Sequence, residues 1–170
     1  MYGLLQVVTV MLVAVCAALS GAHALELPGK MRLDEPTYRA VQRIYYPGFT
    51  IGGAAEPLAV VATGLLLFLT PAGTMAFWLV LLAFLAMLAM MAIYWLAVHP
   101  VNKHWMEGQA VSASAAAFFG KGTSAGRQPG FEELRSRWEY AHVARAVLTG
   151  AGLLALVISA VIQPQGAQAG

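Results

Sequence analysis

The chain has 170 residues and a formal charge of +2, with 59 % hydrophobic and 11 % charged residues, and its mean hydropathy is +0.69. A soluble domain carries about a quarter charged residues, so a water-soluble fold is excluded, and so small a charge without a Lys/Arg cluster excludes a nucleic-acid partner. The one cysteine, Cys16, lies in an apolar run, which leaves neither an internal disulfide nor a CxxC redox or zinc motif.

Membrane lipid, a lipophilic small molecule, a second copy in a homo-oligomer or a larger membrane complex remain as partners. A chain crossing lipid must pair every backbone N–H and C=O internally, which only helices and closed barrels do. The apolar runs here are long and do not alternate with polar residues, so they predict helices.

Residues 2–25 contain no Lys, Arg, Asp or Glu and are long enough to cross a hydrocarbon core of about 30 Å. Ala22-His23-Ala24 faintly resembles a signal-peptidase site, but no basic residue precedes Lys30, so a retained first helix is expected. The polar stretch that follows predicts a short helix lying on the membrane surface. Asp34 would cap it, with Pro36 in its first turn; Arg39 and Arg43 stand one turn apart, and Tyr38, Val41, Gln42 and Tyr45 share another face.

A second span is expected over residues 50–70. From Pro57 to Val98 no residue is charged, and Thr70-Pro71-Ala72-Gly73-Thr74 breaks that run, which predicts a tight turn and a third span over 75–98 ending at His99-Pro100. Residues 101–133, rich in Ala, Ser and Gly, read as a flexible cytoplasmic loop, with residues 115–119 apolar enough to dip into the interface. The fourth helix starts near 131–133, and its span covers 138–162.

The expected fold is thus all-α: one domain over 1–170, an integral membrane four-helix bundle of two antiparallel hairpins with a short interfacial helix. All ten Lys and Arg lie in the first or third polar stretch or in the opening turns of helix four. The positive-inside rule puts both stretches in the cytoplasm and both termini on the other side of the inner (plasma) membrane.

Antiparallel threading brings the end of helix one, the start of two, the end of three and the start of four to one depth. His23 and Glu26 are three residues apart on helix one, Glu56 opens helix two, and His99, Asn102, His104 and Trp105 follow helix three. On helix four, Arg135, Trp138, Glu139, His142 and Arg145 fall within an arc of about 120°. Ionisable groups at such a depth are costly in lipid, so their convergence points to function.

Three readings of this layer are open. It can be an iron, manganese or zinc centre: Glu139-x-x-His142, the reversed pair His23-x-x-Glu26 and Glu56 are the residue types of metal-holding bundles, although Arg145 would oppose a cation. It can be a metal-free pocket, with His142 or His23 as general base oriented by Glu139 or Glu26, and Arg145 with Asn102 stabilising a developing oxyanion. Trp105, Trp138, Tyr94, Trp95, Tyr45 and Tyr46 would then line an aromatic cleft, with Glu56 and His99 beside the substrate. Or the charges merely snorkel and the Trp and Tyr form the aromatic belt, which accounts poorly for His23, His142 and Arg145 together.

The run from Ser20 to Lys30, Pro100-Val101-Asn102-Lys103 and Trp138-Glu139-x-x-His142-x-x-Arg145 resemble the anthrone oxygenase-like family of small four-helix membrane proteins. The resemblance implies conversion of an anthrone to an anthraquinone by molecular oxygen without a dedicated cofactor, with Asn102, Trp138, His142 and Arg145 as the motif residues. The stretch from Lys30 to Phe49 has no counterpart in that chemistry. The leading expectation is an oxygenase or related oxidoreductase acting on a lipophilic aromatic or quinone-like compound at the cytoplasmic leaflet. A non-enzymatic subunit or assembly factor, suggested by small-residue helix faces, is the alternative, and a transporter the least supported.

Overall fold

The computed structural model describes residues 1–45, 47–105 and 130–162, the side chain of Lys103 apart. Tyr46, residues 106–129 (with the apolar run 115–119 and most of the expected loop) and residues 163–170 lie outside the described residues. Seven helices are described: α1 (Tyr2–Lys30), α2 (Glu35–Gln42), α3 (Gly48–Gly53), α4 (Ala55–Leu69), α5 (Met75–Ile93), α6 (His99–Trp105) and α7 (Phe131–Ile162). A 3₁₀ turn, Arg43–Tyr45, precedes α3, and a π-helical turn, Tyr94–Val98, joins α5 to α6. The fold is all-α, with no strand among the described residues.

Four stretches are long and apolar enough to cross a membrane: Tyr2–Lys30, Gly48–Leu69, Met75–Asn102 and Phe131–Ile162. Their outward faces expose large apolar side chains such as Leu4, Met11, Leu58, Phe68, Trp78, Leu82 and Leu154. Lipid is the solvent such a surface requires, and the molecule is a membrane protein.

Each long helix packs against two others: α1 on α4 and α7, α5 on α4 and α7. Paired residues show neighbours running antiparallel. The Tyr2 hydroxyl meets Thr70 Oγ1 at 3.0 Å, near one end of α1 and just past the end of α4, while Leu19 lies against Gly52, just ahead of α4. Ser20 Oγ meets Thr149 Oγ1 at 2.9 Å between α1 and α7.

Lipid tails are as apolar as the interior, so contact between helices depends on close packing more than on the hydrophobic effect. Val13, Leu66, Val80, Met87, Met90 and Leu156 form the tightly enclosed centre. At Gly152 an added Cβ would stand 3.3 Å from Met87 Cε and 3.5 Å from Ala86 Cβ, so α5 and α7 approach closely only because that position lacks a side chain. A second cluster, including Tyr38, Tyr94, Val98, Trp105 and Trp138, fills the polar end.

Local chemistry explains where the helices stop. Asp34 caps α2 by accepting from the Thr37 amide at 3.1 Å, and hydrogen bonds from Thr37 hold its carboxyl below the usual range. At the 70–74 turn Gly73 takes φ 81, a left-handed conformation suited to glycine, and Thr74 caps α5 through the Phe77 amide.

Two helices run past their expected ends. The first continues from 25 to Lys30 through Pro28, which has no N–H to give the Ala24 carbonyl one turn back. The third continues past His99-Pro100 to Trp105. Pro100 has no N–H to give the Leu96 carbonyl four residues back, and that oxygen accepts from Arg137 Nη2 at 2.6 Å instead.

Candidate functional site

At the polar end the helices enclose a partly open cavity with a free volume of about 60 Å³. α1 supplies Leu19, Ser20 and His23, α4 supplies Glu56, the π-helical turn Tyr94 and Val98, α6 Asn102 and Trp105, and α7 Trp138, His142 and Arg145. The segment between α1 and α4 closes it with Gln42, Tyr45 and Phe49. The stretch without a counterpart in the family's chemistry is therefore a wall of the cavity.

His142 is 3 % exposed. Its Nδ1 lies 2.9 Å from the carbonyl oxygen of Trp138, one turn back on α7, and the two rings stand 4.0 Å apart. Trp138 in turn donates its indole N–H to Asn102 Oδ1 at 2.7 Å, which fixes the amide with its nitrogen as the remaining donor. His23, 5 % exposed, packs against His142, Tyr45, Phe49 and Trp138 with ring centroids 4.4–4.9 Å away.

The charged groups divide into two sets. Arg145 pairs with Glu56 across α7 and α4 and stands 5.4 Å over the Tyr94 ring. Lys30, 4 % exposed, reaches Glu26 Oε2 at 3.0 Å, both Glu139 oxygens at 3.4 Å and His23 Nδ1 at 3.4 Å. Its ammonium also lies 4.8 Å from the Trp138 ring, so cation–π attraction adds to the ion pairs. Tyr38 donates to Glu139 Oε1 at 2.9 Å and Tyr45 to Glu26 Oε2 at 2.5 Å. Burial, with those carboxylates beside them, pushes both phenols well above their ordinary range.

Of the residues predicted from sequence, His23, Glu56, Asn102, Trp105, Trp138, His142 and Arg145 line this one cavity. Glu139 is fully buried but bonds to Lys30 and Tyr38; the Trp138 carbonyl holds His142. Glu26 is not among the lining residues; its side chain is 41 % exposed and pairs with Lys30. His99 lies against Trp95, with rings 4.9 Å apart, and is not among the lining residues. Of the expected aromatic wall, Trp95 is exposed and Tyr46 is outside the described residues.

Sequence reasoning missed Lys30, Gln42 and Phe49. Lys30 read as an ordinary basic residue beyond a span ending at 25, and no pattern marks Gln42, although its face with Tyr38 and Tyr45 was visible. Three of the lining residues carry an N–H without a partner among the described residues: Gln42 Nε2, Trp105 Nε1 and Arg145 Nε. Buried polar groups are nearly always paired, and these donors suit a ligand that brings acceptor oxygens.

A metal centre needs several ligands around one point. Among the described residues no group of three or more His, Cys, Asp or Glu could hold an ion, and Glu26, Glu56 and Glu139 are engaged by Lys30 and Arg145. The arrangement does not fit an iron, manganese or zinc ion on His23, Glu26, Glu56, Glu139 and His142. It does suit proton transfer and oxyanion stabilisation in a water-poor, aromatic-walled space.

No curated protein and no solved structure matches the chain. The family model described as anthrone oxygenase matches residues 42–155, a stretch that runs from Gln42 through the cavity residues of α4, α6 and α7. The chain belongs to the anthrone oxygenase family.

Proposed function

We propose that the protein is a membrane-embedded oxygenase that acts on a lipophilic aromatic or quinone-like compound at the cytoplasmic leaflet of the inner membrane. The observation that carries this reading is the His142 ring, buried in an aromatic-walled cavity with Arg145 beside it. Its Nδ1 faces a carbonyl, which can only accept, so in the neutral ring the hydrogen is on Nδ1 and the lone pair on Nε2. That lone pair is the base.

In the proposed reaction His142 takes a proton from a ring CH₂ activated by a carbonyl across the ring. The electron pair moves onto the carbonyl oxygen as an oxyanion, which the N–H groups of Arg145, Asn102, Gln42 and Trp105 stabilise. The carbanion form passes its electrons to O₂, a C–O bond forms, and the peroxide takes the proton back from His142. Loss of water from the hydroperoxide leaves a second C=O. Each turnover converts one CH₂ and one O₂ to one C=O and one H₂O, with no outside reductant.

The orientation rests on the Lys and Arg distribution and puts the cavity on the cytoplasmic side. The test is oxygen uptake by detergent-purified protein supplied with anthrone, corrected for autoxidation in detergent alone. Wild type should consume one O₂ per anthraquinone formed, and His142→Gln should lose about 10²–10⁴-fold in rate. Equal uptake in both would remove His142 as the base; wild-type uptake no faster than the blank would remove the oxygenase reading.

A further inference from the structure

Two histidine rings share the cavity wall with centroids 4.4 Å apart, and their Nδ1 atoms meet chemically opposite partners. His142 Nδ1 faces the Trp138 carbonyl at 2.9 Å and so carries the hydrogen. His23 Nδ1 faces the Lys30 Nζ at 3.4 Å. An ammonium only donates, so here Nδ1 is the lone pair and the hydrogen belongs on Nε2.

One neighbour opposes that assignment. Glu26 Oε2 lies 3.7 Å from the same His23 Nδ1 and would favour a hydrogen there. That separation is beyond hydrogen-bond reach, and the oxygen is engaged at shorter range by the Tyr45 hydroxyl (2.5 Å) and by Lys30 (3.0 Å). Carboxylates of Glu26 and Glu139 flank the Lys30 ammonium. Neither histidine has a hydrogen-bond partner at Nε2 among the described residues.

We infer that Lys30 is a positioning residue that fixes His23 as an N–H donor to the cavity, opposite the lone pair of His142. The site thus pairs one proton acceptor with one hydrogen-bond donor on adjacent rings. A flat substrate with an acidic ring C–H and an acceptor oxygen matches both, the C–H against His142 and the oxygen against His23. For the ligand's identity this rests on the oxygenase reading; for the tautomers it does not.

The experiment is long-range ¹H–¹⁵N correlation on protein with ¹⁵N-labelled histidine in detergent, where the Nδ1–H and Nε2–H tautomers give different patterns. Wild type should show His142 as Nδ1–H and His23 as Nε2–H. In Lys30→Met the His23 pattern should become a mixture while His142 keeps its own, and Lys30→Arg should restore the wild-type pattern. An Nδ1–H pattern at His23 in wild type, or a Lys30→Met protein identical to wild type, overturns the inference.

Binding of two unreactive probes checks the donor role. His23→Phe should weaken anthraquinone, which offers carbonyl oxygens, by about fivefold, the worth of one hydrogen bond, and leave anthracene unchanged. Equal loss for both probes overturns it. Correct tautomers in a protein that consumes no oxygen with anthrone would sink the oxygenase reading and leave the Lys30–His23 assignment standing.

Discussion

Arg145 on α7 and Glu56 on α4 form an ion pair inside the protein, the two residues only 5 % and 8 % exposed. Removing one member of a buried pair strands the other charge, at about 3–5 kcal/mol. Glu56→Ala should therefore unfold far more readily in detergent than wild type. The double variant Glu56→Met/Arg145→Met should recover most of that stability, because no lone charge remains, yet stay inactive in oxygen uptake. Thermal unfolding followed beside uptake checks both; a double variant as unstable as Glu56→Ala would refute the pairing account.

Glu139 provides a contrast with His142. It bonds to Lys30 and Tyr38, so its task is to hold the α1 end and the α2 segment onto α7. Tyr38→Phe should cost about 1.5–3 kcal/mol, the worth of a hydrogen bond to a charged group. Glu139→Gln should slow uptake less than His142→Gln does. A Glu139→Gln rate as low as that of His142→Gln would make Glu139 part of the proton chemistry after all.

The N–H groups of Gln42 and Trp105, without a partner among the described residues, predict selectivity. Gln42→Leu keeps the size and loses the donor, so it should reduce anthraquinone affinity by about fivefold and spare anthracene; Trp105→Phe loses a ring as well as the donor and should weaken both, anthraquinone more. Equilibrium binding to both compounds decides it, and an unchanged ratio would sink the donor role.

Alkaline pH tests the buried phenols. Tyr38 and Tyr45 titrate well above the ordinary range because burial and the neighbouring carboxylates disfavour the phenolate. In the unfolded chain tyrosine ionises near pH 10. Below that pH both states hold the proton and stability is intact; as pH rises through it only the unfolded state releases protons, so stability falls. Melting curves from pH 8 to 11 should drop at the alkaline end, and less steeply in Tyr45→Phe. Parallel slopes would place the loss elsewhere.

Much of this was legible in the sequence, for physical reasons. Apolar length without alternation and the 70–74 turn mark the long helices, because in lipid only a helix or a closed barrel satisfies the backbone and a barrel strand would alternate. Antiparallel threading then brings His23, Glu56, Asn102, His142 and Arg145 around one space. What stayed hidden depends on contacts between helices. Glu139 and His142 share a face of α7, but Lys30 and Tyr38, more than a hundred positions away, decide what Glu139 bonds. Gln42 has no local signal, since its role exists only once α2 folds over the opening.

The π-helical turn at Tyr94–Val98 also has a consequence for spacing. At about 100° per residue, Met90 and Asn102 would point about 120° apart on an unbroken α-helix. Both nevertheless meet α7, Met90 at Arg145 and Asn102 at Trp138. A π-turn absorbs one extra residue, which brings the angular gap down to about 20°. That single added position acts as a phase correction, indexing the lower half of the third span to the same partner as the upper half. Deleting one residue there should turn the π-helical turn into plain α-helix and leave Asn102 and Trp105 facing the cavity, whereas straightening it with all its residues kept would swing both out of the wall.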